Sequence, residues 1–210
     1  MKLKTIIMLS LFILMTEYPA RAETLNDVII ISPTDTKHTF YRGRQGHFGA
    51  NRGNGKKHAG VDIITNIAVH DKEKYSVKAV NSGIVAYTRI NGSASTDFGY
   101  TVVIDHGNGY YTQYSHLATK ASAGIVKLKD AVLLPGQIIG YMADLSKDSR
   151  SSGNVWSEVV KPYDRIQLHF EVFTAPPGRT SNTTLAELKL TSNRVNPTTV
   201  LMKLGYRKIN

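Results

Sequence analysis

Two histidines and one aspartate stand in this chain at positions where they could bind a metal ion. His58 and Asp62 are four positions apart, and His169 follows far downstream in the run Gln167-Leu168-His169-Phe170-Glu171. Side chains alternate between two faces along extended backbone, so positions 58 and 62 can point the same way. Two imidazoles and one carboxylate suit Zn²⁺ and leave the fourth tetrahedral position open to water, which is the catalytic arrangement. By itself this spacing is a weak indication, because a turn histidine and a surface acid are commoner.

Short runs rich in Val, Ile, Tyr and Thr must position these residues. Each run ends at Gly, Asn or Asp, which predicts strands separated by turns. No stretch of a dozen residues has a convincing helical stripe. We therefore expect a mainly β fold, an antiparallel β-sandwich or two packed sheets. The predicted strands are Tyr75–Val80, Gly83–Ile90, Tyr100–Asp105, Tyr110–Ser115, Ala131–Leu134, Gln137–Met142 and Gln167–Phe173.

Two segments break the strand pattern and are expected to be surface insertions. Residues 143–166 are rich in Ser, Asp and Lys, and residues 175–192 open with Pro176-Pro177-Gly178. Near the end, Asn196-Pro197 offers an N-cap followed by proline at the first helical position. This pattern predicts a short C-terminal helix over Thr198–Leu204.

Residues 1–22 have the layout of a cleavable signal peptide. A basic start, Met1–Lys4, precedes the apolar run Thr5–Thr16, and Ala20-Arg21-Ala22 leaves Glu23 as the predicted mature start. Twelve residues rise only about 18 Å as a helix, whereas a hydrocarbon core is about 30 Å thick. We therefore expect secretion across the inner membrane into the periplasm or cell envelope, with no stable membrane anchor.

Composition limits how the exported protein is stabilised and what it binds. The chain has no cysteine, so its own core or a metal must stabilise it. Removing the signal peptide leaves 188 of 210 residues, enough for one domain, which we place at residues 46–204 after a lead-in segment at 23–45.

The formal net charge falls from +10 to +8, because the removed residues include three basic and one acidic. Such a protein is attracted to anionic wall polymers and lipid headgroups. Its basic residues are scattered, so nucleic acid is not expected as a partner.

Several short motifs follow one another in a characteristic order. One motif precedes His58-Ala59-Gly60-Val61-Asp62, and four others lie between it and the segment around His169. Together they resemble the lysostaphin/LytM-type zinc endopeptidases over about residues 46–173, with a family-like tail at Val195-Asn196-Pro197. The additional motifs are Phe48-Gly49 with Arg52, Val77–Val80 leading to Gly83-Ile84-Val85, Val103–Tyr110, Tyr114–Leu117 and Pro135–Gly140.

The resemblance implies a role for each matching residue. His58, Asp62 and His169 would bind Zn²⁺, and His116 would be a catalytic histidine beside the water and the reacting carbonyl. The alternative for His116 is a loop histidine bonded to backbone. His106, in the Asp-His-Gly-Asn-Gly turn, is interpreted as structural. The implied partner is peptidoglycan, and other envelope proteins are further candidates.

One position departs from the family's His-x-His pattern. Gln167 stands where the family has the first histidine, which serves there as general base. A glutamine amide can orient water or donate to an oxyanion, but it cannot accept a proton at neutral pH. Losing a positioned acid or base typically costs about 10²–10⁴-fold in rate. Either His116 transfers protons alone, or the enzyme is slow, or the chain binds zinc without catalysis.

Three functions follow from these patterns. The leading one is a secreted zinc metalloendopeptidase that hydrolyses peptide bonds in peptidoglycan stems or cross-bridges. The alternative is a zinc-binding, non-catalytic module that binds peptidoglycan or regulates a wall hydrolase. A carbohydrate-binding β-sandwich unrelated to peptidases would require the motif order to be accidental.

Overall fold

A computed structural model describes residues 24–34, 38–40, 46–52, 55–65, 75–90, 100–107, 109–118, 130–144, 166–175 and 193–208. Within these ranges the helices are α1 (Leu25–Val28) and α2 (Thr198–Lys203). Neither is long and apolar enough to cross a membrane. The strands are β1 (His38–Phe40), β2 (Val61–Thr65), β3 (Ser76–Lys78), β4 (Gly83–Ile90), β5 (Tyr100–Asp105), β6 (Tyr110–Leu117), β7 (Val132–Leu133), β8 (Ile138–Tyr141), β9 (Ala143–Asp144), β10 (Ile166–Thr174), β11 (Asn193–Val195) and β12 (Arg207–Lys208).

Ten of these strands form one large sheet. Its order is β12-β1-β2-β10-β6-β5-β4-β7, and β9 and β11 also pair with β10. The pair β1–β12 is parallel, and the central pairs around β10 are antiparallel. Strands β3 and β8 form a second, antiparallel sheet. The mainly β class with two sheets is therefore confirmed.

The two faces of strand β10 have different surroundings. Leu168, Phe170 and Val172 are fully buried in the main core. Gln167 and His169 alternate with them and so take the opposite face. Burying a Leu, Val or Phe side chain stabilises a fold by about 1.5–3 kcal/mol. A slip of one residue would move all three out of the main core to the opposite face, so the core holds the register that aims Gln167 and His169.

The N-terminal segment 24–34 packs on the small sheet. Val28 and Ile29 are buried, and the backbone N–H of Ile31 donates to the Val80 carbonyl at 3.1 Å. The hydroxyls of Ser32 and Thr34 both contact the Tyr206 hydroxyl, which follows α2. Part of the predicted lead-in segment therefore contributes to the same core as the sheets.

The predicted insertions and helix differ from the structure at their edges. The segment predicted as an insertion at 143–166 begins with β9, which pairs with Ile166 and Gln167 at the start of β10; residues 145–165 lie outside the described residues. In the second insertion, Ala175 is buried and its N–H donates to the Gly109 carbonyl, and residues 176–192 lie outside the described residues.

Helix α2 ends one residue earlier than predicted, and the Asn196 side chain accepts from the Thr198 N–H at 3.0 Å.

Candidate metal centre

Strand pairing places Asp62 beside His169. Asp62 on β2 lies directly opposite His169 on β10 in the antiparallel register. Directly opposed residues project from the same face of a sheet, with Cβ atoms about 4.5–5.5 Å apart. A carboxylate and an imidazole that are 107 positions apart in sequence therefore become neighbours.

His58 reaches the same place by a different route from the one its spacing suggested. Strand β2 begins at Val61, so the alternation assumed over positions 58–62 does not apply. Instead, the segment before β2 forms a hairpin-like turn in which the His58 N–H donates to the Ala50 carbonyl and the Gly49 N–H donates to the His58 carbonyl, each at 2.8 Å. These backbone bonds fix the approach of the His58 side chain.

Three side-chain atoms converge in this centre. His169 Nδ1 lies 2.9 Å from Asp62 Oδ1 and 3.0 Å from His58 Nε2, and His58 Nε2 lies 3.3 Å from Asp62 Oδ1. Zinc bonds of about 2.0–2.2 Å at tetrahedral angles separate ligand atoms by about 3.3–3.6 Å. All three residues are buried. The triangle therefore needs only a slight expansion to hold a zinc ion, and its donor types are those that zinc prefers.

Hydrogen bonds to neighbouring groups set the tautomers of both histidines. His58 Nδ1–H donates to the His47 carbonyl at 2.9 Å, which leaves Nε2 as the ligand nitrogen. His169 Nε2–H donates to Glu171 Oε1 at 2.9 Å, which leaves Nδ1. Metal-binding histidines in proteins characteristically donate their second N–H to a carbonyl or carboxylate.

Two buried carboxylates make the centre favourable for a cation. Burial alone would raise the pKa of Asp62, but hydrogen bonds from His169 and His58 hold it well below its ordinary value. Burial alone would lower the pKa of His169, yet the Asp62 and Glu171 carboxylates raise it to about 9. Asp62 is therefore ionised at neutral pH, and positive charge is stabilised at His169 Nδ1.

Arginines at the edge of the centre hold the outer oxygens of the carboxylates. Arg52 Nη2 lies 2.9 Å from Asp62 Oδ2, and Arg194 Nε lies 3.3 Å from Glu171 Oε2. Asp62 therefore presents Oδ1 to the two histidines while Oδ2 is held by Arg52.

A β-bulge brings His116 to this face. Tyr100 pairs with Leu117 and Val102 with Tyr114, so two residues of β6 oppose the single Thr101 of β5. His116 has a φ of +62°, in the left-handed region. Bulges re-aim side chains in this way. The His116 ring stands edge-on to the His169 ring, with centroids 5.9 Å apart.

Burial controls the charge of His116. Desolvation, reinforced by the positive charge on His169, lowers the pKa of His116 to about 3. The ring is therefore neutral at pH 7.

All five predicted site residues line one open cavity of about 320 Å³. His116 and Gln167 lie in its wall together with His58, Asp62 and His169. Gln167 is partly exposed, and it sits two positions before His169 on the same strand face. The sequence-based set is thus brought together, although the roles of its members remain predictions.

Other residues of the centre were not assigned roles from the sequence. Glu171 could have been found, because it lies two positions after His169 in a strand with a period of two. The His47 carbonyl and Arg194 carry no local signal, since only the folded chain places them. Lys56 and Lys57, which also line the cavity, have no motif beyond their position just before His58.

Comparison with known proteins identifies the family of the chain. Residues 56–182 match the model of Peptidase family M23. This match covers more than half of the chain, which therefore belongs to peptidase family M23. No curated protein sequence is significantly similar to the chain.

Several solved structures are similar to this chain at low sequence identity. A protein described as a glycyl-glycine endopeptidase, lytM, from Ruminococcus gnavus is 20% identical with a TM-score of 0.54, and the match covers 85% of this chain and 59% of that one. The catalytic domain of the prophage-encoded M23 protein EnpA from Enterococcus faecalis is 17% identical over 78% of this chain and 92% of that one, with a TM-score of 0.45. The lysostaphin catalytic domain from Staphylococcus simulans is 20% identical with the same coverage and TM-score.

Proposed function

We propose that this chain is an exported zinc metalloendopeptidase that hydrolyses peptide bonds in the stems or cross-bridges of peptidoglycan. The observation that carries this proposal is the convergence of His58 Nε2, Asp62 Oδ1 and His169 Nδ1 within 3.3 Å of one another on the cavity wall. Membership of peptidase family M23 supports the reaction class. The substrate class rests on the ordered motifs shared with lysostaphin/LytM-type enzymes.

The three converging residues would hold the zinc ion. When bound there, zinc supplies Lewis acidity toward a peptide carbonyl and toward water. Arg52 fixes the outer oxygen of Asp62, and Glu171 fixes the ring of His169, so both ligands are oriented before a substrate enters.

His116 and Gln167 would handle the proton and the water of the reaction. The His116 imidazole can take a proton from water and return it to the amine of the cleaved bond. The Gln167 amide can accept a hydrogen bond through its oxygen or donate one to an oxyanion through its nitrogen. Gln167 therefore positions the water or the oxyanion, and His116 transfers the proton.

A second candidate function is supported by Gln167. Its amide occupies the cavity wall where the family pattern has a proton-accepting histidine. A zinc-binding, non-catalytic module that binds peptidoglycan or regulates a wall hydrolase would keep the three ligands and lose this base. The two functions differ in whether peptides are released.

Export is part of the proposal, and its support is the signal-peptide pattern of residues 1–22. The exported form should begin at Glu23 and occur in the periplasm or cell envelope without an anchor. Mass spectrometry of the exported protein checks this cleavage site. An intact N-terminus in the membrane fraction would contradict it.

Zinc content and peptide release together test the enzymatic function. Purified protein should contain one zinc per chain and release peptides from purified peptidoglycan, and a chelated sample should release none. His169→Ala should lose both zinc and activity, because it removes one of three ligands. Zinc without peptide release would favour the binding module, and a chain that binds no zinc would refute both candidates.

A further inference from the structure

The hairpin before β2 carries basic residues to the mouth of the cavity. Its two arms pair in antiparallel fashion: Asn51 pairs with Lys57, and the Arg52 N–H donates to the Lys56 carbonyl at 2.9 Å. Cross-strand partners and residues two apart share a face. Arg52 and Lys56 therefore lie on the same face of the hairpin as His58, which is a metal-centre residue.

The cavity wall has more positive charge than its acids can balance. Asp62 and Glu171 are its two acids, and each already contacts an arginine and a histidine. Among the residues that the structure describes, no ion pair involves Lys56 or Lys57. Both lysines are exposed and line the cavity. A zinc ion would make this region more positive still.

Arg52 adds directed hydrogen-bonding capacity to this charge. Its guanidinium has five N–H donors, of which the contact with Asp62 uses one. Its side chain is one-third exposed. A carboxylate entering between Arg52 and Lys56 would therefore meet both a charge and a fork of donors.

We propose that Lys56, with Lys57 and Arg52, forms a subsite that binds a carboxylate of the substrate close to the scissile bond. This inference rests on the proposed peptidase function and narrows its substrate class. It predicts a preference for acidic peptides, in which a side-chain or terminal carboxylate lies within a few residues of the cleaved bond. An oligoglycine segment that is joined by amide bonds at both ends has no carboxylate and would lack the group that this subsite recognises.

Matched peptides test the subsite directly. We would compare a stem-like peptide that has both a side-chain and a C-terminal carboxylate with two versions in which one or the other is a carboxamide. Affinities are measured by calorimetry on the zinc-loaded, His116→Ala protein, so that cleavage does not interfere, and cleavage rates are measured on the native protein. The two amidated peptides show which carboxylate is recognised.

The native hairpin should bind the diacid about 3- to 10-fold more tightly than one of the amidated peptides, as expected for one or two partly exposed ion pairs. Replacing both lysines (Lys56→Gln with Lys57→Gln) should bring this ratio toward one. Lys56→Arg, which keeps the charge, should retain the preference. Lys203→Gln is the matched control, since Lys203 is an exposed lysine on α2 that does not line the cavity.

Salt provides an independent check. Exposed charge pairs weaken as ionic strength rises, so the preference for the diacid peptide should decrease at higher salt. Equal affinity for the diacid and both amides, or a preference that survives the double lysine substitution, would overturn the subsite. Absence of cleavage for every peptide, with the binding preference intact, would instead refute the peptidase function and leave the subsite standing.

Discussion

Glu171 illustrates how much of the candidate metal centre depends on residues other than its three proposed ligands. It is buried, and Oε1 accepts from His169 Nε2 at 2.9 Å and from Gln113 Nε2 at 3.3 Å. Arg194 holds the other oxygen. The negative charge makes His169 Nδ1 a stronger donor toward a cation, and the fixed carboxylate prevents the ring from turning.

Glu171→Gln should therefore weaken zinc binding by about 10- to 100-fold, because the amide can still accept from His169 but carries no charge. Competition with a chromogenic chelator measures the affinity. Arg194→Gln is the control, since it disturbs Glu171 while preserving the bond to His169, and its effect should be smaller. Equal losses in the two variants would show that Glu171 acts only through packing.

Gln167→His should raise peptidoglycan-cleaving activity. The side chains are similar in size, and position 167 already lies in the wall of the cavity that His116 also lines. The new imidazole adds a group that can accept a proton from water, and a gain of about 10-fold or more would fit the usual worth of such a group. Peptide release from purified peptidoglycan is the measurement. Unchanged peptide release in Gln167→His would contradict this prediction and show that a missing proton acceptor at position 167 does not limit the rate.

At the scale of elements, the centre depends on how closely the chain before β2 approaches β10. Gly60 lies between His58 and Asp62 at this crossing. A Cβ at Gly60 would overlap the Phe170 carbonyl oxygen and stand 2.8 Å from Glu171 Cγ. Only glycine allows the two backbones to meet here, so the approach that aligns the ligands depends on it.

Gly60→Ala should lower the free energy of unfolding by about 2–3 kcal/mol, since the backbone must shift to relieve the overlap. It should also weaken zinc binding, because the shift separates His58 from His169. Gly205→Ala is a suitable control: Gly205 has a φ of +95° with nothing near its missing Cβ, so alanine should cost about 1–2 kcal/mol of strain without changing zinc affinity. Denaturant titrations and metal titrations of both variants check this. Unaltered zinc affinity in Gly60→Ala would contradict the argument.

At the scale of the whole molecule, His106 ties three parts of the fold together. It is buried, its Nδ1–H donates to the Ser82 carbonyl at 2.7 Å, and its Nε2 lies 2.9 Å from the Thr112 hydroxyl. Burial lowers the pKa of His106, and the Ser82 carbonyl and the nearby Asp105 charge only partly offset this. The folded protein therefore holds the ring neutral under conditions in which the unfolded chain protonates it.

The sign of the resulting pH effect follows from proton binding. Below an ordinary histidine pKa of about 6.5, the unfolded state binds a proton that the folded state does not. The contribution of His106 to the free energy of unfolding therefore decreases as the pH is lowered. Each pH unit between the two pKa values removes about 1.4 kcal/mol. His106→Asn should be less stable at neutral pH but should lose less stability than the native protein between about pH 7.5 and 5.5. Denaturant unfolding at both pH values measures the difference, and parallel losses would contradict it.

Local patterns in the sequence were sufficient to predict much of the fold. Strands β4 and β5 have the predicted bounds of Gly83–Ile90 and Tyr100–Asp105, because their Val, Ile and Tyr content and bounding turn residues are local properties. Five strands of two to five residues each were not predicted, namely β1, β2, β9, β11 and β12. Such short segments become strands only because a neighbouring strand pairs with them.

The sequence by itself determined which side chains could bind zinc, since the residue types that zinc prefers can be read from each segment. Only the tertiary structure decided how they meet. The β2–β10 register sets Asp62 against His169, and the hairpin before β2 brings His58 to them. The bulge at Ser115–His116 turns His116 toward the cavity, whereas simple alternation along β6 would point it into the core. Register, hairpin closure and bulges depend on contacts between distant segments, and burial of the shared core selects among them.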